Sequence, residues 1–119
     1  MKLANIELMS NPSTVNAEIS IVPIGTSDTS MGKEIAAAYD AIRNIKNFKK
    51  VTLTPMSTQV ESDNLDEILQ AIHAAHNAVK SVGAKRVIST IRIDERLDKP
   101  NTLDGKIHSV KTKVSELSS

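Results

Sequence analysis

The chain's 119 residues, 39% hydrophobic and 24% charged, make one domain large enough to bury a core and polar enough outside to need no covalent staple. The absence of cysteine excludes a disulfide framework, a thiolate metal site and thiol catalysis, and one Tyr, one Phe and no Trp leave little for base-stacking platforms or cation cages. A net charge of +1 is too small for strong electrostatic capture of nucleic acid.

Residues 1–14 read as an N-terminal arm, amphipathic over Leu3 to Met9 and punctuated by Ser10-Asn11-Pro12-Ser13. Residues 15–119 read as the single domain. From Val15 to Ile24 apolar residues alternate, with Val15, Ala17, Ile19 and Ile21 on one side and Asn16, Glu18, Ser20 and Val22 on the other. That period of two predicts a strand with one face on the core. Ser27 to Ser30 offer N-caps, and Met31, Ile35, Ala38, Ile42 and Ile45 form the apolar stripe of a helix reaching about Asn47. Residues 49–62 are β-rich around Pro55, which predicts two short strands joined by a turn. Asp63 or Asn64 caps the next helix, whose apolar face is Leu65, Ile68, Leu69, Ile72, His76, Val79 and Val82, and Gly83 ends it. Alternation returns from Lys85 to Asp94, with Thr90, Arg92 and Asp94 on the side away from Val87, Ile91 and Ile93. After Pro100, Thr102 caps a last helix from about Leu103 to Leu117. The order β-α-β-β-α-β with an extra C-terminal helix predicts an α+β, ferredoxin-like split βαβ sheet with its two main helices on one face.

The other face then carries Glu18, Ser20, Thr52, Thr54, Gln59, Glu61, Thr90, Arg92 and Asp94. Glu18, Ser20, Glu61, Thr90 and Arg92 are expected to cluster, because the first, third and fourth strands are neighbours in such a sheet. Solvent exposure is the plain reading of this face. Val22, Met56 and Ile88 interrupt its polarity, which favours partial burial against another subunit. Carboxylates there could also accept hydrogen bonds from an amino group or balance a cation, with Ser and Thr hydroxyls serving ring nitrogens.

Other chemistries have weaker support. His73 and His76 have metal-ligand spacing, but no third ligand matches them and His76 falls on the apolar stripe, so a hydrogen-bonded core histidine is expected and no metal site. Gly25-Thr26-Ser27 precedes a helix but lacks the P-loop pattern. No nucleophile–base pair can be named, so no enzyme is expected. Residues 80–119 hold nine basic and five acidic side chains, against six and nine before them, which reads as a solvated basic face. No apolar stretch approaches the roughly 20 residues that span a bilayer. With no signal peptide and no cysteine, a cytoplasmic protein is expected.

Several strings together carry a family resemblance: Glu18-Ile19-Ser20-Ile21-Val22-Pro23-Ile24-Gly25-Thr26, Leu53-Thr54-Pro55-Met56, Thr58-Gln59-Val60-Glu61, Gly83-Ala84-Lys85-Arg86-Val87, and Ile91-Arg92-Ile93-Asp94 with Asp98-Lys99-Pro100. In their spacing from about residue 17 to residue 113, the chain resembles the small thiamine-binding, YkoF-like family of ferredoxin-like proteins. The resemblance implies a non-enzymatic cytoplasmic protein with no cofactor. It implies a homo-oligomer, a dimer of dimers, that binds thiamine or its hydroxymethylpyrimidine half near subunit contacts. By resemblance the ligand-binding positions are Ser20, Gly25, Thr26, Thr54, Thr58, Glu61, Arg92 and Asp94. The competing readings are a structural or regulatory oligomer without a small ligand, and an RNA-binding module. The last needs aromatics on the central strands, and Tyr39 and Phe48 lie elsewhere.

Overall fold

The computed structural model describes residues 14–118. The elements run β1 (Thr14–Ile24), α1 (Gly32–Arg43), β2 (Lys50–Leu53), β3 (Thr58–Ser62), α2 (Leu65–Ser81), β4 (Arg86–Arg96) and α3 (Leu103–Leu117). This is the split βαβ, ferredoxin-like order with a helix added at the C-terminus. The arm expected at the N-terminus falls outside the described residues, except that Thr14 is already the first residue of β1.

All four strands form one antiparallel sheet in the order β2-β3-β1-β4. β1 and β4 pair residue for residue from Thr14–Arg96 to Ile24–Arg86, without a bulge. Alternation turns Val15, Ala17, Ile19 and Ile21 of β1 and Val60 of β3 toward the helices, where they are buried. Ala38 and Ile42 of α1 and Ile68, Ala71, Ala75 and Val79 of α2 complete the core.

Two details depart from the apolar patterning. In α2 the buried line includes Ala71 and Ala75, while Leu69 is 51% exposed. Small side chains let α2 approach α1 and the sheet closely, so packing distance, and not residue apolarity, chooses the face. α1 stops at Arg43, earlier than its stripe suggests, and Asn47 takes a left-handed φ of 77° that reverses the chain toward β2. Ile45 still reaches the core, from the turn.

The caps of α2 and α3 follow local chemistry, whereas α1 starts after Met31 with no side-chain cap, so the expected cap among Ser27 to Ser30 is not the one used. Asn64 accepts the Asp66 N–H at 2.7 Å and opens α2. Gly83, at φ 105°, closes it, with the Ala84 N–H returning to the Val79 carbonyl. Thr102 accepts the Gly105 N–H at 2.9 Å and opens α3. α3 differs from the other helices: none of its residues is buried, and Ile107, Val110, Val114 and Leu117 are each more than half exposed.

Candidate functional site

Pairing across the sheet sets polar side chains in two adjacent rows on the face away from α1 and α2. The first row is Thr52, Gln59, Glu18 and Arg92, and the second is Lys50, Glu61, Asn16 and Asp94. Ser20 and Thr90 face each other one step further along. The segment after β4 crosses this face and brings the start of α3 over it. Between the rows and α3 lies a groove of about 670 Å³, lined by Asn16, Glu18, Gln59, Arg92, Asp94 and Lys106, with Leu103 and Ile107 as its apolar wall.

Glu18 is the best-prepared group in the groove. The Gln59 side-chain amide donates to its Oε2 at 3.2 Å and the Ser57 hydroxyl donates at 3.0 Å. The Arg92 guanidinium stands 4.0 Å from Oε1. The Gln59 hydrogen bond foremost, then that of Ser57 and the Arg92 charge, hold the Glu18 carboxyl below its ordinary value of 4.5 against the opposing effect of burial. The result is a fixed, ionised carboxylate that remains partly open to solvent.

The second row seats the helix. Glu61, only 7% exposed, accepts the Leu103 N–H through Oε1 at 2.8 Å, placing a carboxylate at the N-terminus of α3. Asn16, 4% exposed, donates from Nδ2 to the Asn101 carbonyl at 2.6 Å. This fixes the amide's orientation and leaves Oδ1 buried without a partner. Lys106 pairs with Asp94, and Lys50 with Asp104.

The eight residues singled out from the sequence do not form one site. Ser20, Glu61, Arg92 and Asp94 share the open face. Arg92 and Asp94 line the groove, whereas Glu61 sits beneath the helix start. Thr54 lies in the β2–β3 turn, where its hydroxyl donates to the Ser57 carbonyl and accepts the Ser57 N–H, ordering the residue that supports Glu18. Thr58 is buried and turned toward the helices, opposite Ile19. A separate cavity of about 180 Å³ under α1, walled by Met31, Ile35 and Tyr39, takes in Thr54, Thr58 and Ser20. Gly25, at φ 81°, and Thr26 lie in the exposed loop after β1 and line neither space. Glu18, Asn16, Gln59 and Lys106 are polar groove residues that the resemblance passed over. Alternation had put Asn16 and Gln59 on the correct face, but nothing in the sequence announced that α3 would begin above them. His76, the expected core histidine, is half-buried and shares a 2.9 Å hydrogen bond between Nε2 and the Ser89 hydroxyl.

The fold is that of a small ferredoxin-like protein whose open sheet face carries a carboxylate-floored groove. The chain belongs to the thiamine-binding protein family, whose model matches residues 17–111. It is 37% identical over 100 residues to a UPF0045 protein of Methanothermobacter thermautotrophicus, covering 84% of this chain and 99% of that one. It is 40% identical over 96 residues to a UPF0045 protein of Methanocaldococcus jannaschii, covering 81% and 91%. A solved structure of a hypothetical protein from M. jannaschii superposes with a TM-score of 0.74 at 37% identity, over 82% of this chain and 96% of that one. A Thermotoga maritima protein provisionally ascribed to thiamine biosynthesis or salvage superposes at 0.68 with 23% identity, over 82% and 98%; at that identity it supports the fold alone.

Proposed function

We propose that the chain binds thiamine or its hydroxymethylpyrimidine moiety, without catalysis, in the groove between the open sheet face and α3. One observation carries this reading: in a chain of the thiamine-binding family, the groove floor presents an ionised carboxylate, Glu18, oriented by two hydrogen bonds. A carboxylate accepts well from an exocyclic amine and balances a cationic ring. The Gln59 amide and the Asp94 carboxylate flank it for further polar contacts, and Leu103 and Ile107 cover an apolar ring edge. A volume of about 670 Å³ suits a ligand of this size. Arg92 and Asp94 line the groove beside Glu18, and Glu61 seats the start of the helix that walls it. Edge-on recognition by carboxylates and amides accommodates a chain with so few aromatic residues. The ligand lies near contacts between copies of the chain, in a dimer of dimers. No described helix is long and apolar enough to cross a membrane, and the reading places the protein in the cytoplasm.

Calorimetry with thiamine and with hydroxymethylpyrimidine tests the proposal. At least one is expected to bind, and Glu18→Gln, which keeps the shape and removes the charge, is expected to weaken that binding by about tenfold or more, or roughly 1.4 kcal/mol. Neither heat nor a thermal shift with either compound would sink the reading.

A further inference from the structure

Charges of both signs border the groove, and its cations are already engaged. Lys106 pairs with Asp94, and Lys50 with Asp104 across the start of α3. Arg92 is held more loosely: its side chain is 85% exposed and stands 4.0 Å from Glu18. Across the two polar rows and the first turn of α3, the carboxylates Glu18, Glu61, Asp94 and Asp104 outnumber these three cations by one.

The start of α3 is the place on this face where a phosphate would ordinarily find donors, because a helix N-terminus presents free backbone N–H groups and the positive end of its dipole. Here that place is taken. Glu61 reaches it from β3, only 7% exposed, and accepts the Leu103 N–H at 2.8 Å. The Thr102 hydroxyl takes the Gly105 N–H, and Asp104 adds a second carboxylate in the first turn. Beside Glu61 on the sheet, Asn16 keeps a buried Oδ1 that no donor reaches. The floor therefore has a spare acceptor where a phosphate would need a donor.

We propose that Glu61 is a resident anion: by occupying the start of α3 it keeps phosphate out of the groove, and so makes the groove select a donor-rich, unphosphorylated ligand over its phosphate ester. The inference rests on the reading of the groove as the thiamine site and adds which chemical form is taken. A phosphate monoester carries about −1.5 to −2 charges at neutral pH. To seat one, the groove must break the Lys106–Asp94 pair or lean on Arg92, whose exposed position makes its attraction weak. Glu18, Glu61 and Asp94 meanwhile repel it. Repelling groups of this kind separate two ligands that are alike in every other respect. Glu61 acts here by its charge and its hold on α3, and determines specificity without touching the ligand.

Calorimetry on the full-length protein with thiamine, thiamine monophosphate and inorganic pyrophosphate tests this. Thiamine is expected to bind about tenfold or more tightly than its monophosphate, and pyrophosphate alone to give no heat. Raising the salt from about 0.05 M to about 0.5 M is expected to narrow the ratio, because screening weakens repulsion; a ratio indifferent to salt would mean that shape does the excluding and would overturn the role of Glu61. Glu61→Gln keeps an oxygen for the Leu103 N–H and removes the charge, so α3 stays seated while the monophosphate gains about threefold or more on thiamine. Asp94→Asn releases Lys106 and is expected to move the ratio the same way, which keeps the electrostatic exclusion testable should Glu61→Gln fail to fold. Hydrogen exchange across α3 reports whether the helix remains seated in each variant. Equal affinity of the unmodified protein for thiamine and its monophosphate, or an unmoved ratio in Glu61→Gln with α3 seated, overturns the inference and leaves the thiamine site standing. Failure of thiamine itself to bind overturns the reading of the groove, and this inference with it.

Discussion

Two glutamates stand on the open face, and their surroundings give them different work. Glu61 spends an oxygen on the first N–H of α3 and is buried. Glu18 is oriented from one side by Gln59 and Ser57 and remains accessible on the other. Because its folded pKa lies below the ordinary 4.5, Glu18 stays charged as the pH falls to that value. Any stability or binding that depends on its charge is therefore present above the unfolded pKa and is lost only as the pH drops through the lower, folded one. Thiamine binding is accordingly expected to hold to a lower pH than an ordinary carboxylate would allow, and to fail only as the pH drops through the lowered, folded value. Gln59→Leu removes the largest of the lowering contacts, so the acid limb should move upward toward the ordinary value. A carbon-detected NMR titration of the Glu18 carboxyl, alongside calorimetry across the same range, checks both statements; an unmoved limb would show that Gln59 does not set it. Alternation alone placed Glu18 and Arg92 on this face, since a period of two determines sidedness. It could not tell which glutamate would be covered, because that depends on where the chain returns after β4.

That return is set by a few local contacts. Arg96 grips Asp98 with a two-pronged pair at 2.6 and 2.9 Å, which pushes the Asp98 carboxyl down to about 2. Pro100 follows, the Asn101 carbonyl takes the Asn16 amide, and Thr102 caps α3. Beyond its first turns α3 buries no side chain; among the described residues its start is held by the cap, by Glu61 and by two exposed ion pairs, which contribute little each. Thr102→Ala is therefore expected to cost about 1 kcal/mol of helix stability, and to do so locally. Hydrogen exchange should quicken across α3 while α1 and α2, which share the core, remain protected; slowing or global loosening would contradict this. α3 was legible in the sequence from Thr102 to Leu117 because its cap and spacing are local signals. α1 was legible in its middle but not at its end, since the left-handed turn at Asn47 answers to the path into β2. α2 was legible in extent, yet its buried side was misread at Leu69, because close packing rewards Ala71 and Ala75 over a larger neighbour.

At the scale of the molecule the sheet divides labour between its faces. Everything that resists unfolding is concentrated on the helix side, where Ile19, Val60, Ile42, Ile68 and Val79 are almost wholly buried in one core, and the polar rows occupy the other side of the same strands. This division was readable from the sequence as two alternating runs and two amphipathic helices, each consistent with the rest. What was not readable was anything requiring two distant segments to meet, such as the crossing of residues 97–102 over the rows. The division makes a direct prediction, since adjacent residues of one strand should have separable effects. Ile19 faces the core, opposite Thr58 and Ile91, and Ile19→Ala leaves a cavity there, so it is expected to lower stability by about 2–5 kcal/mol. Glu18, one residue away, is held by side-chain contacts at the surface, and Glu18→Gln is expected to change stability by roughly 0.5 kcal/mol at most while weakening ligand binding. Denaturant unfolding and calorimetry on the two variants measure both quantities. If Ile19→Ala, still folded at low temperature, lost binding as steeply as Glu18→Gln, or if Glu18→Gln unfolded as readily as Ile19→Ala, the faces would not be independent. The groove would then depend on the core behind it, and the sheet could not be treated as a rigid floor.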